Sequence, residues 1–296
     1  MSNARWSEQL DEAEAGQVRA LLHAAREADG RPEEIEPPSG GLHLLRHEDG
    51  ELVGYTHLDT AGDSFGRQVA ELIVRPDHRR RGHGTELTRA LLARDGDLRI
   101  WAHGDHPGAA RIAAKLGLQR ARELLVLSAD VDGQEWPEPK LADGVSLRTF
   151  EPGRDEEAVI AVNARAFDWH PEQGALTVDE LRATEREPWF DADGFFLAER
   201  DGAEGTVIGF HWTKVHPPNP ARFGGEPVGE VYVVGVDPGA QGGGLGKALT
   251  LAGLRYLRER GLKQVILYVE GDNAPAVAVY TKLGFGRHEA DIQYSR

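Results

Sequence analysis

Two short strings in this chain could hold an anion: Gln241-Gly242-Gly243-Gly244-Leu245-Gly246 and Arg79-Arg80-Arg81-Gly82-His83-Gly84. Each begins with Gln or Arg, has glycine fourth and sixth, and stands three residues after a proline (Pro238, Pro76) that ends a β-rich stretch. Each opens an amphipathic helix. Glycines let the backbone turn tightly and come close to a ligand. The free N–H groups and dipole of a helix N-terminus favour an anion, and a coenzyme pyrophosphate suits that geometry. The bland alternative is a strand-to-helix turn with no ligand; two copies in matching contexts argue against it. Neither string is a Walker loop, since Gln241 stands where a glycine is needed and Ala248 where Ser or Thr is needed. Neither has the third glycine of a dinucleotide fingerprint.

The copies differ where protons would have to move. Anchoring them at Pro76 and Pro238 sets Gln68 against Glu230. Anchoring them at Lys115-Leu116-Gly117 and Lys282-Leu283-Gly284 sets Ala113 against Tyr280. A carboxylate and a phenol can exchange protons; an amide and a methyl cannot do so usefully. The chemistry is therefore expected in the second copy, with a catalytically silent first copy. The structural alternatives are a strand-end carboxylate for Glu230 and a helix aromatic packed on the sheet for Tyr280. Other constellations are bland. His43 and His47 lie in or beside an expected strand and share no helical face, so no metal site is expected. There is no G-x-S-x-G elbow. The absence of cysteine excludes disulfides, thiolate metal sites and a cysteine nucleophile.

The elements that must carry these residues occur twice in one order. The first half reads as a helix at 17–28, strands at 42–46, 52–57 and 69–74, a helix at 85–94, a strand at 98–102, a helix at 108–116 and a strand at 123–127. The second half reads as a strand at 145–149, helices at 156–166 and 178–186, and strands at 195–200, 207–215 and 230–236. A helix at 246–260, a strand at 264–269, a helix at 274–283 and a strand at 290–294 complete it. Residues 217–229, rich in Pro and Gly, read as a long loop beside the site. Residues 130–144 hold Pro137 and Pro139 among acidic residues and few apolar ones, the composition of a linker open to proteolysis. The expected division is a domain over 1–129, a linker over 130–144 and a catalytic domain over 145–296. Each domain is expected to be α/β, a mixed central sheet flanked by helices.

Length and charge bound the rest. At 296 residues the chain is about two domains long. Its net charge of −15 repels polyphosphate in bulk, so nucleic acid is an unfavourable partner. No apolar run reaches the ~18 residues of a spanning helix, and the polar N-terminus shows no secretory signal. A cytoplasmic monomer acting on small molecules, away from membranes, is expected. Arginine outnumbers lysine heavily, and Ala and Gly abound, as in a GC-rich genome such as an actinobacterial one.

Over nearly its whole length the sequence resembles the GCN5-related N-acetyltransferase superfamily, and within it the mycothiol synthase family, whose members are tandem copies of that fold. The likeness is strongest at residues 170–174, 210–217, 230–238 and 267–273. The resemblance implies transfer of an acetyl group from acetyl-CoA to the cysteinyl amine of a cysteinyl-glucosaminyl-inositol, the last step in making mycothiol. It implies that acetyl-CoA is the cosubstrate, held by Val234, Gly235, Val236, Gln241, Gly242, Gly243, Gly244, Leu245, Gly246, Lys247, Asn273, Ala274, Pro275, Ala276, Val277 and Ala278. In the first copy the matching positions are Leu72, Ile73, Val74, Arg80, Arg81, Gly82, His83, Gly84 and Thr85. Gly242 and Gly243 stand where the family often has arginine, which leaves the pyrophosphate to backbone amides. The resemblance makes Glu230 the base and Tyr280 the acid toward the thiolate. It places the acceptor against Glu172, Lys214, Glu230 and Tyr268, with Glu36 reaching from the first copy. Two other readings stay open: a tandem acetyltransferase for another small amine, and an acetyl-CoA sensor without turnover, which would need neither Glu230 nor Tyr280.

Overall fold

The computed structural model describes residues 6–30, 36–63, 65–94, 96–170, 173–202, 206–219 and 222–296. The first half runs β1 (Trp6–Ser7), α1 (Glu12–Ala28), β2 (Leu42–Glu48), β3 (Glu51–Asp59), β4 (Gln68–Val74), α2 (His83–Leu92), β5 (Leu98–Ala102), α3 (Pro107–Leu116) and β6 (Gln119–Asp130). The second half runs β7 (Val145–Thr149), α4 (Glu156–Ala166), α5 (Val178–Thr184), β8 (Phe195–Arg200), β9 (Thr206–His216) and β10 (Val228–Val236). It ends with α6 (Leu245–Glu259), β11 (Gln264–Glu270), α7 (Ala274–Lys282) and β12 (Gly286–Ser295). Every expected element forms, and β5, β7, β8 and α4 do so over the expected residues. Helix α1 starts five residues earlier than its apolar pattern, because Asp11 and Glu14 close a capping box: each side chain accepts from the other's backbone N–H, at 2.8 and 3.0 Å.

The chain forms two units. The first comprises Met1–Leu124 and Glu289–Arg296; the second comprises Leu125–His288. This departs from the expected 1–129 and 145–296. In the first unit the strand order is β1-β2-β3-β4-β5, completed by the last part of β12, where Ile292, Gln293 and Tyr294 pair antiparallel with Ala102, Trp101 and Ile100. In the second unit the order is β6-β11-β10-β9-β8-β7, so the end of the first copy's last strand is built into the second unit. The expected linker is also anchored. Val131 and Trp136 are buried, Val131 N–H donates to Lys263 O at 2.8 Å, and the Trp136 indole N–H donates to Leu283 O at 3.0 Å. A count of apolar residues missed this, because one indole buries more surface than several small residues.

Each sheet carries helices on its faces. In the first unit Val18 and Leu21 of α1 pack with Leu45, Leu52, Tyr55 and Ile73. In the second, α4 and α5 cover an aromatic-rich core around Phe150, Phe195, Phe210 and Trp212, while Leu245 and Leu249 of α6 pack on Ala198 and Ile208. Gly54 and Gly209 mark the same spot in the two copies. A Cβ at either would lie 2.9 Å from a leucine methyl of the covering helix, Leu87 or Leu249. The helices α2 and α6 therefore sit close over the strands that precede the two turns.

Candidate active site

The geometry starts from one extra residue in β10. This strand pairs with β9 from Val228↔His216 to Val236↔Gly209, and the register shifts between Val231 and Val233, leaving Tyr232 as a bulge. A bulge bends its strand and adds twist. The parallel ladder from β10 to β11 covers Gly229↔Val265, Glu230↔Ile266 and Val231↔Leu267 and stops there. Beyond it the two strands part. Asp237 N–H donates to Ile208 O on β9 at 2.9 Å. Because N–H groups alternate sides along a strand, those of Val234 and Val236 point the other way, into the opening. Two aligned donors in a gap between strands can hold a carbonyl oxygen that becomes negative.

The same opening exists in the first unit without a bulge. Strand β4 pairs with β3 without a break from Val69↔Asp59 to Gly54↔Val74, and its ladder to β5 ends at Glu71↔Trp101. The missing bulge corrects one pairing of the copies. Lys214 stands five residues beyond Gly209 and faces Glu230; Asp59 stands five beyond Gly54 and faces Val69. Glu230 is thus the ladder counterpart of Val69 rather than Gln68, and Val69 cannot exchange a proton either.

The two turns match down to single bonds. After a 3-10 turn over Pro238–Ala240, Gly242 and Gly244 take φ of 88° and 82°, and Gly244 caps α6 without a side-chain hydrogen bond. In the first copy Arg80 and Gly82 take φ of 69° and 100° ahead of α2. Gln241 Nε2 donates to Val236 O and Arg79 Nε to Val74 O, both at 3.2 Å. The leading Gln or Arg is therefore a latch that ties the turn to its strand, and its own side chain is occupied. No Cβ at Gly242, Gly243 or Gly244 would meet an atom within 4 Å. The first-turn N–H groups of α6, from Leu245, Gly246 and exposed Lys247, have no intrahelical acceptor. Such free N–H groups at a helix N-terminus can receive an anion.

Helix α7 closes the set. The Asn273 side chain caps it by accepting from Ala276 N–H at 3.2 Å, and Ala274-Pro275 opens it. Tyr280 lies on α7 with its ring against Phe285, and burial pushes its phenol up to about 12. It therefore keeps a proton to give at neutral pH. Glu230 is only 5% exposed, and its Oε2 accepts from His216 Nε2 at 2.6 Å. Lys214, opposite Glu230, has its Nζ 4.2 Å from the Trp189 ring centre and 5.1 Å from that of Tyr232. Burial and the nearby Glu230 charge both raise the Tyr232 phenol. Tyr268 stands 42% exposed on β11, two residues along the Glu230 partner's face. Glu230, Lys214 and Tyr268 are thus brought to one sheet face. Glu172 lies outside the described residues, and Glu36 is held in the first unit by a two-pronged contact with Arg19, at 2.9 and 2.8 Å.

In the first unit, Leu72, Ile73, Val74, Arg80, Gly82, His83, Gly84 and Thr85 line one cavity of about 720 Å³, together with Ala113. Arg81 does not join them. It turns away to Asp77 O at 3.0 Å and Glu48 at 3.5 Å. Glu71 and His103 also line the cavity. Burial works against charge on His103, but Asp291 at 3.1 Å and Glu71 at 3.4 Å outweigh it and hold the imidazole at about 9. Glu71, kept low chiefly by its hydrogen bond from His103, is committed to that partner. Among the described residues no group of three or more His, Asp or Glu is placed to hold a metal ion, and no helix is long and apolar enough to cross a membrane.

Sequence reasoning missed His216, Trp189 and the bulge at Tyr232. The first had a signal: His216 follows Lys214 by two, so both face one side of a strand.

The profile of the Acetyltransferase (GNAT) family matches residues 6–118 and 163–285. A mycothiol acetyltransferase of Saccharomonospora viridis is 67% identical over 100% of this chain and 99% of its own length. One of Amycolatopsis mediterranei is 66% identical over 99% of each. Among solved structures, a GCN5-related N-acetyltransferase from Sphaerobacter thermophilus superposes with a TM-score of 0.71 at 22% identity, over 99% of this chain and 95% of that one. A tandem GNAT protein from the clavulanic acid biosynthesis pathway gives 0.66 at 22%, over 99% and 98%. These two likenesses speak to the fold.

Proposed function

We infer the reaction from a settled premise, that the chain belongs to the acetyltransferase (GNAT) family and, within it, to the mycothiol acetyltransferases. It transfers the acetyl group of acetyl-CoA to the cysteinyl amine of a cysteinyl-glucosaminyl-inositol, giving mycothiol and CoA. The observation that carries this reading is near-full-length identity of 67% to a mycothiol acetyltransferase. The second unit's geometry supports the following roles. The pyrophosphate rests on the α6 N-terminus, where Gly242–Gly244 present no side chain to obstruct it. The thioester lies in the opening between β10 and β11, its carbonyl toward Val234 and Val236 N–H.

Glu230 takes the proton of the acceptor's ammonium. The free amine then attacks the thioester carbon, a C–N bond forms, and the oxyanion is held by the strand amides. As the C–S bond breaks, Tyr280 gives its proton to the leaving thiolate. Lys214 and Tyr268 bind the hydroxyl-rich acceptor from one sheet face. The first unit holds acetyl-CoA in its cavity without turnover, since Val69 and Ala113 stand at the base and acid positions and Glu71 is tied to His103. The test is mass spectrometry of products after incubation with acetyl-CoA and a panel of amines that includes the cysteinyl pseudodisaccharide. Acetylation of another amine in preference to it would overturn the assigned acceptor.

A further inference from the structure

We propose that His216 is the positioning residue of the base: its Nε2–H holds Oε2 of Glu230 and so leaves Oε1 as the oxygen that meets the acceptor's amine. The inference rests on the reading of Glu230 as base. The contact is built by backbone register rather than by chance rotamers. Strands β9 and β10 pair Val228 with His216 and Glu230 with Lys214, so residues 214, 216, 228 and 230 share one face, and the bond runs diagonally across the ladder. At 2.6 Å it is a short contact between an imidazole and a carboxylate. Glu230 is buried and His216 is about a third exposed, with side-chain values of 6% and 36%.

A second observation shows why a dedicated partner is needed. Lys214 is the nearest cation by register, directly opposite Glu230. An ammonium salt-bridged to the carboxylate would stabilise its charged form and weaken it as a proton acceptor. Instead the Lys214 ammonium sits over the Trp189 and Tyr232 rings. His216 gives Oε2 one N–H and so fixes the carboxylate's orientation. It stands two positions along the strand from Lys214 and contacts Oε2. His216 thus acts on the reaction through Glu230.

The experiment compares His216→Gln, His216→Leu, Glu230→Gln and the double variant His216→Leu/Glu230→Gln in the full chain, with acetyl-CoA and the cysteinyl pseudodisaccharide. His216→Leu removes the donor, and kcat is expected to fall about 10- to 100-fold, short of the ~10²- to 10⁴-fold typical of a lost base. KM for both substrates should stay within about twofold. His216→Gln keeps an N–H donor and should recover most of that loss. Adding His216→Leu to Glu230→Gln should cost nothing further, because a residue acting only through the carboxylate has nothing left to act on. Equal losses in the Gln and Leu variants, an unchanged kcat in His216→Leu, or an additive double variant would each overturn the proposal. If Glu230→Gln itself retains wild-type turnover, the base assignment falls instead, which separates the two failures.

Discussion

At the scale of single residues, the second unit differs from the first in a carboxylate and a phenol. Glu230→Gln removes the proposed base while keeping size and hydrogen bonding, so turnover should drop by ~10²- to 10⁴-fold with acetyl-CoA affinity unchanged. Part of the loss should return at higher pH, because an α-amine with pKa near ~8 then arrives unprotonated. Loss of activity in Gln68→Ala with activity retained in Glu230→Gln would place the chemistry in the first unit. Tyr280→Phe should cost less, since a thiol of pKa ~8.5 leaves tolerably as thiolate. Its pH behaviour is distinctive. Burial holds the phenol at about 12, so it stays protonated through the neutral range. The ratio of wild-type to Tyr280→Phe rates should therefore be flat from about pH 6 to about pH 9, measured as kcat.

At the scale of elements, the bulge and the turn make the site. Tyr232 is the residue by which β10 exceeds β4. Deleting it should restore an unbroken ladder with Glu230 still opposite Lys214, and remove the local bend and twist of β10 beside Glu230. Turnover should then fall at least to the level of Glu230→Gln while circular dichroism stays near wild type. Retained turnover would mean that the bulge does not matter to the site. In the turn, Gly246 and Gly244 separate binding from folding. A Cβ at Gly246 meets only the Val236 side chain at 3.7 Å, so Gly246→Val should leave the melting temperature nearly unchanged. It should weaken acetyl-CoA by about tenfold or more, an order-of-magnitude figure near 1.4 kcal/mol, because the pyrophosphate approaches bare backbone. Gly244 has φ of 82°, and there any β-branched residue also costs about 1–2 kcal/mol of backbone strain. Calorimetric titration and thermal melts of the two variants read these effects apart.

At the scale of the molecule, the units exchange their closing strands with respect to the repeat. The first unit needs the chain's last eight residues, Glu289–Arg296. Ending the chain at His288 removes the partner of β5 along with buried Ile292 and Asp291. Amide exchange should rise over residues 98–102 and far less over the second unit's β8 and β9. The anchored segment gives a second test. Trp136→Ala should destabilise the second unit by about 3–5 kcal/mol, the usual loss for a buried large aromatic, and protease should then cut within 131–144, where the wild type is protected up to Trp136. A third concerns pH. His103 is raised from 6.5 to about 9 in the folded first unit. Its contribution is complete below about 6.5 and disappears as pH rises through about 9. Melting of the first unit should fall over that window, and His103→Gln should flatten the fall.

What the sequence determined by itself was local: helix starts and stops, the two glycine turns, the doubling of the fold, and Glu230 and Tyr280 as the residues in which the copies differ. These signals lie within a few positions of one another, as in the glycine turn that opens α6, and survive in one dimension. Family resemblance added the reaction and the cosubstrate. Only the tertiary structure decided the Tyr232 bulge, the match of Glu230 with Val69, the hydrogen bond from His216, and the owner of each closing strand. The reason is register. Strand side chains repeat every two residues, so many alignments of two strands fit one alternating pattern, and their pairing is chosen by residues far apart in the chain. Trp136 taught the same point: a residue inside a polar, proline-marked stretch is buried because Leu283, distant in sequence, offers it a carbonyl.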